Sequence, residues 1–287
     1  MLISTARRAL WRVVGAAALV ASLMGSATTA QAQSPSRVRV DHQLFDTLLR
    51  QHVIDGFVDY DAFARAPEFA RYLSSLDKVR PSQLDEDERL AYWINVYNAF
   101  TIQLIVSHKE TESIRNIDKA LGFLQLKGPW SEPIVRAAGR QLTLDDVDHA
   151  IIRREFGEPR IHYALTCAAM GCPPLRSEAY SGERLVDQLN DQGHRFLGDS
   201  PEKNNVELRV FNLSPILTAY SSDFGPEPKD LIRSIAPYLK GVDSVTLKRP
   251  RPFIRPTRFD WTLNSQAKAR ALGLLPKTAK AGGMTGL

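Results

Sequence analysis

From Asp85 to His108 the sequence reads DEDERLAYWINVYNAFTIQLIVSH. The acidic run suits a helix N-terminus electrostatically, and the residues after it are apolar on nearly every side of a helix. Such a helix has no face to offer water, so the rest of the chain must surround it. Asn95 and Asn98 lie three apart and share a face. Buried amides must find partners, which leaves two readings open. The pair either lines a site, orienting a histidine or binding an oxyanion, or braces loop backbone. Trp93, Tyr97 and Phe100 read as core.

Around this helix the pattern predicts a helix-rich α+β domain with a small, mainly antiparallel sheet. Residues 41–54 place Leu44, Leu48 and Val53 near one helical face before a turn-prone Asp-Gly. IVRAAGRQLT reads as a hairpin turning at Gly139, and Thr143 caps a helix over 144–156 with Asp145 and Asp146 in its first turn. A buried strand over 161–166 leads into the cysteine loop. Helix 181–198 has Ser181 as N-cap, and 204–213 is one half-buried strand with Val206, Leu208 and Val210 inward. Short helices follow from Pro215 to Tyr220 and from Lys229 to Leu239, then a late strand over 257–263.

The N-terminus has a secretory layout. Arg7, Arg8 and Arg12 precede an apolar run from Val13 to Met24, and Ala30-Gln31-Ala32 follows. The expected domains are a signal peptide over 1–32, one globular domain over 33–264, and a basic, patternless and disordered tail over 265–287. An uncleaved anchor competes, but the run is short of the roughly 20 residues that span a bilayer. The expected location is periplasmic or secreted, with no membrane span in the mature protein. Of 37 basic residues three fall in the leader, which has no acid, so the mature balance is 34 against 32, or +2. That gives no footing for nucleic-acid binding.

The only two cysteines, Cys167 and Cys172, close the stretch RIHYALTCAAMGCPPL. Cys167 is a candidate nucleophile at the exposed end of a strand. The competing readings are a Cys167–Cys172 disulfide, inert buried thiols, or a soft-metal site with Met170 and a histidine. A strained or exposed bridge would be redox-active. His162 lies five residues before Cys167, so on a straight strand the two point to opposite faces about 16 Å apart. His149, with Asp145 at i−4 and Asp146 at i−3 as possible orienting carboxylates, is therefore the preferred base.

Several blocks carry a family likeness: YWINVYNAF at 92–100, SIRNI at 113–117, LTLDDVDHAIIR at 142–153, PRIHYALTCAAMGCPPL at 159–175, LSPILTAYSSDFG at 213–225 and FDWTLN at 259–264. Together they resemble the bacterial domain of unknown function 547, over roughly residues 60–265. The resemblance implies no established activity. Some relatives are fused to glutaredoxin-like modules, which points to thiol chemistry.

A Gly-rich phosphate loop, a Gly-x-Ser-x-Gly elbow and a His-Glu-x-x-His helix are all missing from the sequence, and no cofactor is expected. The residues point to a cysteine-dependent hydrolase or acyltransferase acting on a small-molecule or peptide substrate. Its catalytic residues would be Cys167, His149 and Asp145, with Asn95, Asn98 and His162 as binding residues. The alternative is a non-catalytic partner-binding, thiol-redox or soft-metal-binding domain. N-terminal sequencing of the exported protein should begin near Gln33, and an intact Met1 in the membrane fraction would overturn the leader reading.

Overall fold

In the computed structural model, α4 (Glu86–His108) is the helix everything else covers. Asp85 caps it by accepting from the Glu88 amide, and its residues are buried almost without break from Leu90 to Ile105. The structure describes residues 38–121, 128–247 and 252–277, which fall within one compact unit, Arg37–Leu287. The expected signal peptide and residues 278–287 of the expected tail lie outside the described residues. No described helix is long and apolar enough to cross a membrane.

Among the described residues the fold is helix-rich α+β, as the pattern predicts, with three small sheets. In chain order, α1 (Gln43–His52) leads into the hairpin β1 (Val53–Ile54) and β2 (Phe57–Val58), then α2 (Tyr60–Arg65) and α3 (Pro67–Leu76) precede α4. The buried face of α1 is Phe45, Leu48 and Leu49, while Leu44 is exposed. The hairpin β3 (Val135–Ala137) and β4 (Arg140–Leu142) turns at Ala138-Gly139, both left-handed, at φ 53° and 70°. A capping box opens the next helix, with Asp146 N donating to Thr143 Oγ1 and Thr143 N donating to Asp146 Oδ2, both 2.9 Å. That helix is π-wound over Asp146–Ile152 and returns to α5 (Arg153–Phe156).

The expected strand over 161–166 is instead a helical turn, α6 (Ile161–Ala164), followed by extended chain. Its amides bond locally, His162 N to Pro159 O at 3.2 Å and Leu165 N to Ile161 O at 3.0 Å. A short buried apolar run serves either backbone equally well, so periodicity could not choose between them. Helix 181–198 resolves into a 3-10 turn, α7 (Leu185–Gly193) and a π-wound end, and Ser181 makes no side-chain cap bond.

The single strand expected over 204–213 is a hairpin, β5 (Asn205–Glu207) and β6 (Val210–Leu213). Leu208 and Arg209 take left-handed φ of 47° and 64° at its tip, leaving Leu208 98% exposed rather than inward. After α8 (Pro215–Ala219), α9 (Pro228–Ile235) and α10 (Ser244–Leu247), the late strand is β7 (Phe253–Pro256), parallel to β6 and upstream of the expected 257–263. The expected patternless tail carries α11 (Gln266–Ala271), with Ser265 as N-cap and Gln266 and Ala269 buried.

Two cores result. The larger surrounds α4 and includes Ile161, Ala164 and Leu165. The smaller includes Tyr163, Phe196, Phe211, Leu217 and Ile232. The turn α6 thus contributes to both. Asn98 fixes it, since Nδ2 donates to Ala164 O (3.0 Å) and Oδ1 accepts from Thr166 N (2.9 Å). Asn95 does the same for Tyr180, through its O (2.8 Å) and N (2.9 Å). Replacing Asn98 by alanine strands two buried backbone groups, so Asn98→Ala should cost about 3 kcal/mol and lower the melting temperature by roughly 6–12 °C. An unchanged thermal transition would sink this assignment.

Candidate functional site

The cysteine loop is held from behind by backbone. Met170 N donates to Thr262 O and Gly171 N to Asp260 O, both 2.8 Å, and Asn264 N donates to Ala168 O at 3.3 Å. Gly171 is required by this approach, because a Cβ there would lie 2.9 Å from Asp260 N and 3.0 Å from its carbonyl oxygen. The same pairing brings Phe259 and Trp261 beside the loop. Of the readings left open for the cysteines, the structure takes the disulfide: Cys167 and Cys172 are bonded, with Cα atoms 5.7 Å apart.

Cys167 faces a cleft of about 480 Å3. The helix carrying His149 lines one part with Asp145, Asp148 and His149, α6 and its extension supply His162 and Leu165, and Tyr220 follows α8. Tyr97 of α4 is buried in the core yet reaches this wall, and Trp130, Phe259 and Trp261 complete an aromatic border. Asn95 and Asn98 are not among the lining residues. Cys172 lies on the other side of the loop, 1% exposed, where its Sγ accepts from Ala169 N at 3.2 Å.

The polar centre is a chain of charge-assisted bonds. Arg153 grips Asp223 with Nε to Oδ2 (2.6 Å) and Nη2 to Oδ1 (2.8 Å). Those bonds, helped by His162, hold the Asp223 carboxyl down at about 2. Being ionised, Asp223 accepts from His162 Nε2 at 2.8 Å, so Nε2 carries the proton and Nδ1 is the basic nitrogen. Among the described residues no hydrogen bond engages His162 Nδ1. Burial pushes the His162 imidazole below its ordinary value, only partly offset by Asp223, and the ring is neutral at pH 7. It lies flat on Tyr220, ring centroids 4.6 Å apart, and the Arg153 guanidinium sits 4.6 Å from the same ring.

His149 is arranged differently. Its Nδ1 receives Arg153 Nη1 at 3.0 Å; guanidinium can only donate, so Nδ1 accepts and a neutral ring bears its proton on Nε2. Asp145 Oδ1 stands 4.0 Å from that Nε2 and Asp148 Oδ2 3.7 Å from Nδ1, beyond hydrogen bonding. Asp146, the other carboxylate expected beside His149, belongs to the capping box. Desolvation raises the Asp148 carboxyl to about 6 and Asp145 above its ordinary value.

Cys167, His149, Asp145 and His162 therefore share one cleft, because the straight strand that would have kept His162 away from Cys167 does not form. Asp148 and Tyr220 line it too, and Arg153 and Asp223 hydrogen-bond to its two histidines. Arg153 lies one helical turn after His149, a spacing legible in sequence. Asp223 and Tyr220 come from a distant segment whose one signal is the block LSPILTAYSSDFG.

No curated protein and no solved structure matches the chain. The family comparison matches residues 81–197 to the family described as Protein of unknown function, DUF547. That span holds α4, the π-wound turn of His149, α6 and both cysteines, whereas Tyr220, Asp223, Phe259 and Trp261 lie beyond it. Over residues 81–197 the chain resembles the DUF547 family.

Proposed function

We propose that the cleft is a thiol–disulfide exchange site in which a substrate thiolate attacks Cys167 Sγ. The observation that carries this reading is the asymmetry of the bridge: Cys167 lines the cleft, whereas Cys172 is buried and its sulfur receives an amide bond. In the first step a substrate thiol gives its proton to His162 Nδ1. Its sulfur then bonds to Cys167 Sγ, and the Cys167–Cys172 bond breaks with the electron pair leaving on Cys172. The Ala169 amide favours that departing thiolate. A second substrate thiol displaces Cys167, so two thiols become one disulfide and the protein becomes a dithiol. The pattern of residues 1–32 supports an exported location, where such a bridge persists between turnovers.

A second reading is acyl transfer through Cys167 once the bridge is reduced. What favours it is the Asp223-oriented imidazole, the partner a nucleophilic thiol requires. His149, with its Nδ1 lone pair committed to Arg153, has no free ring nitrogen to accept a proton in this arrangement.

The test is a glutathione challenge followed by alkylation and peptide mass analysis. Glutathione should be found on Cys167 and the alkyl group on Cys172; an adduct on Cys172, or a bridge that mild reductant leaves intact, removes the exchange reading. Asp223→Asn should slow exchange by about 10²-fold or more, because an amide favours the wrong His162 tautomer. On acidification His162 protonates and its contribution disappears, with a midpoint below the ordinary imidazole value near 6.5 because burial lowers it. If the reduced protein cleaves an activated ester and Cys167→Ser does not, acyl transfer takes precedence.

A further inference from the structure

Thiol exchange leaves one part of the cleft unexplained. Asp145 and Asp148 both line it, yet no lysine or arginine hydrogen-bonds either carboxylate among the described residues. Arg153, whose charge is felt at Asp148, spends Nε and Nη2 on Asp223 and Nη1 on His149. The Asp148 side chain is only 13% exposed, and its Oδ1 is buried without a hydrogen-bond partner. A carboxylate with no directly hydrogen-bonded cation in such a place is costly, and burial favours its protonated form against the pull of His149 and Arg153.

The same cleft is lined by aromatic rings, Tyr97, Trp130, Tyr220, Phe259 and Trp261. Phe259 and Trp261 are in contact, centroids 4.4 Å apart, and Trp130 lies 6.2 Å from Trp261. Ring faces attract a desolvated cation and also pack its apolar carrier. Two carboxylates that stand 3.7 and 4.0 Å from the His149 ring nitrogens and hydrogen-bond no lysine or arginine among the described residues share one concave site with an aromatic border, an arrangement complementary to an organic cation.

We infer that the cleft binds an organic ammonium group, placed against Asp148 and Asp145 and carried on an apolar or aromatic body that packs on the rings. Resting on the exchange reading, this identifies the substrate as a thiol that bears a nearby ammonium rather than a neutral or anionic one. The Asp223–Arg153–His162 chain handles the proton, and Asp148 and Asp145 select the charge.

The probe is 2-phenylethylammonium, titrated into the mature protein against its neutral counterpart 2-phenylethanol and read by tryptophan fluorescence, since Trp130 and Trp261 border the cleft. The ammonium should bind at least about tenfold more tightly than the alcohol. Asp148→Asn should reduce that preference to within about twofold, a loss of most of one decade. Asp145→Asn, at a half-exposed position, should reduce it in part and serves if the Asp148 variant does not fold. Equal affinity for the two probes, no binding of either, or a preference that survives both substitutions would each overturn the inference. In the reaction itself, cysteamine should outrun 2-mercaptoethanol at the bridge once each rate is divided by its rate with free oxidised glutathione. Exchange without this preference removes the ammonium site alone, whereas ammonium binding without exchange removes the thiol reading alone.

Discussion

The structure depends on the way two side-chain amides of a buried helix satisfy the backbone that covers them. Because α4 is apolar all round, every segment beside it is taken out of water. Segments that also carry a cleft cannot all be regular helix or sheet, and buried irregular backbone has no ladder to satisfy its N–H and C=O groups. Asn98 supplies one donor and one acceptor to Ala164 and Thr166, and Asn95 supplies the same to Tyr180. Residues 165–167 therefore leave α6 in one fixed direction, carrying Cys167 to the cleft.

Much of this is legible in the sequence. The uniform apolarity of 90–105 identifies a buried helix, Thr143 and Asp146 stand at capping-box spacing, and Gly139 marks the hairpin turn whose left-handed φ it shares with Ala138. The losses have separable causes. An apolar run of five residues carries no period, so α6 reads as a strand. Val206, Leu208 and Val210 alternate as a strand does, yet the chain reverses at Leu208, whose left-handed φ no residue type there announces. The site's second half is hidden because Asp223 meets His162 across 61 residues, through a contact that only the folded chain creates.

Electrostatically, one guanidinium organises both imidazoles. Arg153 donates to His149 and, through Asp223, orients His162, so two rings of the same chemistry are given opposite jobs. In one the nitrogen nearest the cation is consumed as an acceptor; in the other a carboxylate intervenes and the far nitrogen keeps its lone pair. The difference lies in whether an anion stands between cation and ring, a distinction no local sequence spacing encodes.

The backbone bonds from residues 168–171 to residues 260–264 also bear on the thermodynamic cycle that links folding to oxidation. They involve no sulfur, so the loop's course does not rest on the bridge alone. Closing so short a loop constrains the unfolded chain by only about 2 kcal/mol. For a two-electron couple that energy separates the folded and unfolded reduction potentials by roughly 50 mV. Oxidation state and conformational stability are thus coupled in this fold by no more than that amount, and the loop is tied to residues 260–264 by contacts in which the bridge has no part.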